Sequence, residues 1–355
     1  MKSILFITAF PPNNKSGGQV FTLNLLKDLS KRYTIDLVYF NYKNHTIDES
    51  LSVNSVKSFD IDNLNCLRNF TKHPIFTRRF NNTILQYLIN IASNYDVVFF
   101  DYTQTGIYSL YLNHPYKVIR CHDVMFQKFS RRDRLFKYWV KLTENKILKS
   151  VSKIFVLTSK DADIVKKEYN YEAYFTHEHI RDFNFYDFVE IDRTFVFFGL
   201  WSRPENSDGL VWFIKNVLPL VNAAVGVKYL VIGGGLAEKL RKKYISPNKD
   251  IEYLGFVEDP LDIIYKSQAL IAPLFTGAGV KVKVIDAFTT GTPVIGTEIT
   301  FEGLPFMEHL TLLANEPEKY AEIINNFLAL SAQEKQRNAQ IFRQLYDNNH
   351  LSEQL

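Results

Sequence analysis

The chain has 355 residues, 42 Lys and Arg against 38 Asp and Glu, a net charge of +4, and 46% hydrophobic against 23% charged residues. That composition excludes a disordered or fibrous polymer, and the length exceeds what one ordinary core fills, so two domains are expected. No apolar run nears the ~20 residues of a membrane-spanning helix. Cys66 and Cys121, the only cysteines, offer neither a disulfide framework nor zinc spacing, which makes a cytoplasmic protein the default. The charge is unevenly spread. Residues 1–190 hold 26 basic against 19 acidic side chains and the remainder 16 against 19, so the two halves are expected to meet different partners.

In chain order, the apolar start 4–8 meets Pro11-Pro12 without a small-residue cleavage site and reads as a first buried strand rather than a signal peptide. Helical periodicity follows over 19–31, then strands at 35–40, 96–101, 117–121 and 153–158, with helices over 82–94 and 132–150. A polar stretch, 186–193, is the expected joint. Beyond it strands are expected at 194–199, 229–233, 251–253, 269–273 and 293–295, with helices over 207–221 and 281–290 and one unbroken helical segment over 316–346. Unalternating Val, Ile, Leu and Phe runs separated by helices predict parallel strands covered on both faces, hence an α/β chain of two doubly wound sheets. Ligands of such sheets bind beyond the carboxyl ends of strands. Informative residues do follow the strands: Gly17-Gly18, Asp101-Tyr102 and His122-Asp123 in the first half, and Gly199 to Asn206, Gly233 to Gly235, Gly255-Phe256 and Gly277 to Lys283 in the second. Both halves thus direct loops toward one expected inter-domain cleft.

The most informative stretch runs from Pro273 to Ile295. A strand leads into Gly277-Ala278-Gly279, then Val280, Lys281 and Lys283 at the start of a helix. Cations are misplaced at a helix N-terminus, which already carries partial positive charge, unless an anion docks there. A diphosphate fits best, held by backbone N–H groups, glycines that allow close approach, and the two ammonium groups. The plain alternative is a solvated Lys pair after an ordinary turn.

Taken together these motifs resemble family 4 glycosyltransferases, of the glycosyl transferases group 1 kind, with the two-domain GT-B architecture. Phe197-Phe-Gly-Leu-Trp201, Leu230-Val-Ile-Gly-Gly-Gly235, Glu252-Tyr-Leu-Gly-Phe-Val257 and the 271–294 region carry the resemblance, strongly over 195–305 and weakly before 190. It implies a GT-B fold of two Rossmann-like domains facing across a cleft: 1–190 binding the acceptor, 191–340 binding the nucleotide-sugar, and a tail, 341–355, packing back on the first. It implies that Gly277, Ala278, Gly279 and Val280 form the diphosphate turn and that Asp286 takes the ribose hydroxyls. The chain departs from the commonest pattern of Glu, seven residues, Glu: the first Glu has no counterpart, the spacing is two residues longer, and Asp286 replaces Glu.

Charge grows on a departing nucleoside diphosphate, so cations aimed at it favour the transition state over the ground state. Lys283 and Arg203 are the expected cations, with Lys281 in support; no aspartate pair on a loop suggests a metal, and no cofactor is expected. The resemblance implies a retaining transfer from a UDP- or GDP-linked donor to a glycan or lipid-linked acceptor in bacterial surface polysaccharide assembly. His122, at the position where the family places a histidine against the donor sugar, is expected to contact sugar or phosphate rather than act as a general base. Further donor contacts are expected from Gly17, Gly18, Gly199, Gly233, Gly234 and Phe256. Each has a plain rival: Lys283 and Asp286 as a surface pair, Gly233 to Gly235 as a tight strand exit, Gly17-Gly18 as a loop, Asp101 as a strand end, Phe256 as core. The segment from Lys128 to Lys149 interleaves basic residues with Phe129, Phe136, Tyr138 and Trp139. It suits an anionic membrane surface on the inner face of the cell membrane, or a helix with a buried aromatic stripe; no nucleic-acid module is apparent. Alternative functions are a nucleotide-sugar epimerase of the same architecture and a non-catalytic nucleotide-binding assembly partner. No Gly-x-Gly-x-x-Gly opens the first helix, which weighs against a dehydrogenase.

Overall fold

The apolar runs form the strands of two sheets. The structure, a computed structural model, describes residues 1–15, 17–61, 72–132, 136–177, 180–187, 193–277, 279–346 and 348–355. The first sheet comprises β1 (Lys2–Thr8), β2 (Tyr33–Phe40), β3 (Ser55–Phe59), β4 (Val97–Asp101), β5 (Lys117–Cys121), β6 (Lys153–Val156) and β7 (Tyr174–Phe175) in the order β3-β2-β1-β4-β5-β6-β7. The second comprises β8 (Thr194–Phe198), β9 (Lys228–Ile232), β10 (Ile251–Gly255), β11 (Leu270–Ala272), β12 (Val294–Gly296) and β13 (Thr311–Leu313) in the order β10-β9-β8-β11-β12-β13. Every neighbouring pair is parallel. The described residues divide into two compact units, Met1–His179 with Asn349–Leu355, and Ile180–Asn348.

Burial on both faces explains the unbroken apolar runs. In the first unit Leu5, Ile7, Val98 and Phe100 join one core with Leu85 and Leu88 of the Asn82–Ala92 helix. Ile4, Phe6, Val97 and Phe99 join the other with Leu25, Leu26 and Leu29 of the Gly17–Leu29 helix, and with Leu351 from the returning C-terminal segment. Phe6 and Phe99 stack across β1 and β4 with ring centroids 4.8 Å apart. In the second unit Phe195, Phe197, Tyr229, Val231 and Ile271 pack on Phe213, Val217, Tyr320 and Ile324. In each sheet the winding reverses beside its first strand, between β1 and β4 and between β8 and β11, and a doubly wound sheet opens its binding crevice at that place.

Several elements differ from the sequence reading. The segment 316–346 is two helices, Pro317–Asn325 and Ala332–Tyr346. Ser331 caps the second: its N–H and hydroxyl donate to Glu334 Oε2 (2.8 and 2.7 Å), and its Oγ accepts from Glu334 N–H, a capping box that lay unread in Ser-Ala-Gln-Glu. The helix expected over 132–150 is Lys137–Lys149, preceded by Met125–Arg132. The helix expected at 207 starts at Pro204, whose fixed φ suits a first helical position. Strands β3, β7 and β13 were not anticipated, because edge strands need no unbroken apolar run: β3 is exposed along most of its length and β7 has two residues. Of the expected joint, residues 188–192 lie outside the described residues, as does Cys66.

Candidate functional site

The crevice of the second sheet is built on backbone. Gly199 follows β8, and a Cβ there would sit 3.1 Å from Lys283 Nζ and 3.0 Å from Asn206 Nδ2. Bare backbone lets these side chains settle against it. Lys283 Nζ donates to Asn206 Oδ1 (2.7 Å), and Asn206 Nδ2 donates to the Leu200 carbonyl (2.9 Å). This fastens the Val282–Thr289 helix to the loop after β8. Gly233 has φ +107°, and a Cβ would lie 2.0 Å from the Gly199 carbonyl oxygen, so glycine is required there. The Trp201 N–H donates to the Gly234 carbonyl (2.9 Å), closing one loop on the other.

The Gly-rich turn leads to an uncapped helix end. Gly277 (φ +118°) and Gly279 (φ +69°) take left-handed conformations, and Val280 is half-buried; Ala278 lies outside the described residues. Lys281 stands at the N-cap of the Val282–Thr289 helix and gives it no side-chain hydrogen bond. Its ammonium donates to the Gly279 carbonyl and lies 3.8 Å from Glu302 Oε2. Arg203, exposed, is the N-cap residue of the Pro204–Trp212 helix. Burial pushes Lys283 down to about 7; Glu205 opposes this, while Lys281 and Arg203 add to it. A lysine so destabilised as a cation, among other cations and beside an uncapped helix start, would regain its proton on meeting an anion.

Asp286 sits one turn further along, 3% exposed, and its Oδ1 pairs with Arg181 Nη2 (2.6 Å) and Nε (3.2 Å). Its Oδ2 is buried with no hydrogen-bond partner among the described residues, and burial raises its pKa against the pull of Arg181. The plain alternative of a Lys283–Asp286 surface pair is therefore wrong: each has its own partner from a distant segment. Phe256 is 76% exposed, so the core reading of that residue fails as well.

The first unit has its own polar centre at the switch between β1 and β4. Asp101, fully buried at the end of β4, does more than end a strand. Its Oδ1 accepts from Arg120 Nε (2.8 Å) and His122 Nε2 (2.9 Å), and its Oδ2 accepts from Thr22 Oγ1 (2.6 Å) and Thr8 Oγ1 (3.0 Å). Despite burial, Arg120 and His122 hold this carboxyl far below the usual range. His122 is pushed down by burial, with Asp101 opposing and Arg120 adding. The Tyr102 ring stacks on His122, centroids 3.7 Å apart and planes 9° apart. Gly17 and Gly18 open the Gly17–Leu29 helix, and a Cβ at Gly18 would lie 2.4 Å from the Tyr102 hydroxyl. The space next to Gly18 is filled by Tyr102, which is the packing reason for that glycine. Sequence reasoning passed over Arg120, Thr8, Thr22 and Arg181, and placed Asn206 after a strand without a partner. Only Arg120 carried a signal, a charge in the middle of an apolar strand, which needs a buried partner.

The Lys137–Lys149 helix buries Val140, Glu144, Ile147 and Leu148 rather than an aromatic stripe. Phe136, Tyr138 and Leu142 are exposed at 44%, 63% and 65%. Phe129 and Trp139 gather edge-on around His73, beside a cavity of about 460 Å³.

Two doubly wound parallel sheets with this strand order are the GT-B fold, and known structures agree. The chain superimposes on Anabaena Alr3699/HepE in complex with UDP-glucose with a TM-score of 0.70 at 13% identity, covering 98% of this chain and 96% of that one. A variant of S. aureus TarM in complex with UDP gives 0.69 at 13% identity, covering 98% and 97%. WaaG, a glycosyltransferase involved in lipopolysaccharide biosynthesis, gives 0.63 at 14% identity, covering 98% and 96%. Residues 192–330 match the family model described as glycosyl transferases group 1, the kind the resemblance implied. An uncharacterized 44.6 kDa protein in the cps region of Klebsiella pneumoniae is 26% identical over 261 residues, 67% of each chain.

Proposed function

We propose that the chain transfers a sugar from a UDP- or GDP-linked donor to a glycan or lipid-linked acceptor, with retention and without a metal ion. One observation carries the reading: the start of the Val282–Thr289 helix, at the switch point of the second sheet and without a side-chain cap from Lys281, adjoins Lys283, whose pKa burial and two neighbouring cations push down to about 7. A diphosphate there supplies the missing anion, and Lys283, Lys281 and Arg203 stabilise the charge that develops on it as the glycosidic bond breaks. The Gly277 and Gly279 turn lets the phosphates approach the backbone. Asp286 takes the ribose hydroxyls, Phe256 flanks the base, and His122 in the first unit meets the sugar.

The UDP-glucose and UDP complexes of the structural relatives support the donor class, and the cps-region relative supports a setting in surface polysaccharide assembly. No helix among the described residues is long and apolar enough to cross a membrane. Exposed Phe136, Tyr138 and Leu142 amid Lys137, Lys141, Lys146 and Lys149 support peripheral docking on an anionic, cytoplasmic-facing bilayer that presents the acceptor. Turnover of a panel of UDP- and GDP-sugars, with and without membrane extract and with a chelator present, tests the reading. Acceptor-dependent release of nucleoside diphosphate, lost in Lys283→Ala, is the expected result. Sugar isomerisation without an acceptor would assign an epimerase, and donor binding without turnover a non-catalytic partner.

A further inference from the structure

We propose that Asp101 and Tyr102 are positioning residues that fix the His122 ring with Nε2–H turned inward and Nδ1 left as an open acceptor for a ligand hydroxyl. The hydroxyl is that of the donor sugar, which rests on the transferase reading; the mount itself does not. Asp101 is an ionised carboxylate with four donors on its two oxygens, and it only accepts. The His122 nitrogen 2.9 Å from it must therefore carry the hydrogen, and a neutral imidazole with Nε2–H has its lone pair on Nδ1. Among the described residues no hydrogen bond reaches Nδ1.

Tyr102 sets the plane of the ring. Its backbone is left-handed, φ +69°, a conformation a non-glycine residue rarely adopts. Three hydrogen bonds hold it there, from its N–H to the Arg120 carbonyl (2.9 Å) and from the Thr105 N–H (3.1 Å) and hydroxyl (3.0 Å) to its carbonyl. The result is a phenol ring nearly parallel to His122, with Phe21 tilted against His122 at 6.5 Å. Gly18 completes the arrangement. Any side chain there would meet the Tyr102 hydroxyl at 2.4 Å, while the nearest ring carbons lie at 3.3 and 3.4 Å, so the hydroxyl is the main obstruction. A glycine that reads in sequence as a place for phosphate to approach is the seat of the tyrosine that aims His122.

The test uses the full chain labelled with 15N-histidine, the His122 signals being those lost in His122→Gln. In the ligand-free protein the ring nitrogen shifts should show hydrogen on Nε2 and none on Nδ1, and the ring protons should be shifted by the stacked tyrosine. Gly18→Ala should abolish that ring-current shift and lower kcat/KM on the order of a hundredfold, the scale of misplacing a contact group. Gly18→Ala with Tyr102→Phe, the hydroxyl being gone, should restore the shift and most of the rate. Hydrogen on Nδ1, unchanged His122 signals in Gly18→Ala, or no recovery in the double variant would each overturn the mount. If the mount holds but no nucleotide-sugar moves the Nδ1 signal, the hydroxyl contact is overturned and the transferase reading loses its support from His122.

Discussion

Donor binding should draw a proton onto Lys283. The free protein holds this ammonium near pKa 7, against an ordinary value of about 10.4, because burial and two neighbouring cations oppose its charge. A nucleotide-sugar diphosphate brings two negative charges that do not titrate near neutrality, so binding raises the lysine's pKa and the protonated form is the one that binds. The sign follows. Below about pH 7 the lysine is already charged and affinity is flat; above it, each pH unit weakens binding about tenfold, ~1.4 kcal/mol, until the pKa of the complex is reached. From pH 6 to pH 8 the Kd should rise about tenfold, and at pH 8 binding should take up close to one proton. Isothermal titration in buffers of different ionisation enthalpy measures both. Lys283→Met should lose the proton uptake and at least about tenfold in affinity at pH 6. PH-independent affinity with no proton uptake, or a Met variant that binds as tightly as the native chain, would refute the reasoning.

Arg181→Ala should destabilise the second unit by about 3–5 kcal/mol at pH 7, since it strands the buried Asp286 carboxylate. Burial already raises the Asp286 pKa, so its stabilising contribution is greatest near pH 4 and declines as pH rises; the Arg181→Ala deficit in denaturant unfolding should shrink toward pH 4, and Asp286→Asn should relieve it. Gly233→Ala should cost about 2–4 kcal/mol because its Cβ would strike the Gly199 carbonyl, whereas Gly234→Ala, with nothing within 4 Å, should cost less than about 1 kcal/mol in the same experiment. Tyr138→Ser with Leu142→Ser should lower partitioning onto vesicles rich in anionic phospholipid at least about tenfold, and raised salt should release the native chain.

The sheets were legible in the sequence because parallel strands buried on both faces must be apolar without alternation, as in Val-Val-Phe-Phe before Asp101 and Phe-Val-Phe-Phe before Gly199. The post-strand positions of Gly199, Gly233, Gly277, Lys283 and His122 were legible for the same reason, since a strand end fixes where a crevice opens. What escaped is pairing between segments far apart in the chain. Nothing local says that Arg181 will meet Asp286, that Asn206 will hold Lys283, or that Thr8 and Thr22 will converge on Asp101. Nor does sequence reveal what occupies the space beside a glycine: at Gly18 it is Tyr102, at Gly233 the Gly199 backbone. The broken 316–346 helix is a different lapse, because Ser331 and Glu334 stood at capping-box spacing and were outweighed by the absence of glycine.

A crystal structure with UDP-glucose or GDP-mannose, whichever binds in titration, tests the central claim most directly. The diphosphate should lie at the start of the Val282–Thr289 helix, within about 3 Å of Lys283 Nζ and of first-turn backbone N–H groups. A donor bound elsewhere, with that helix start empty, would contradict it.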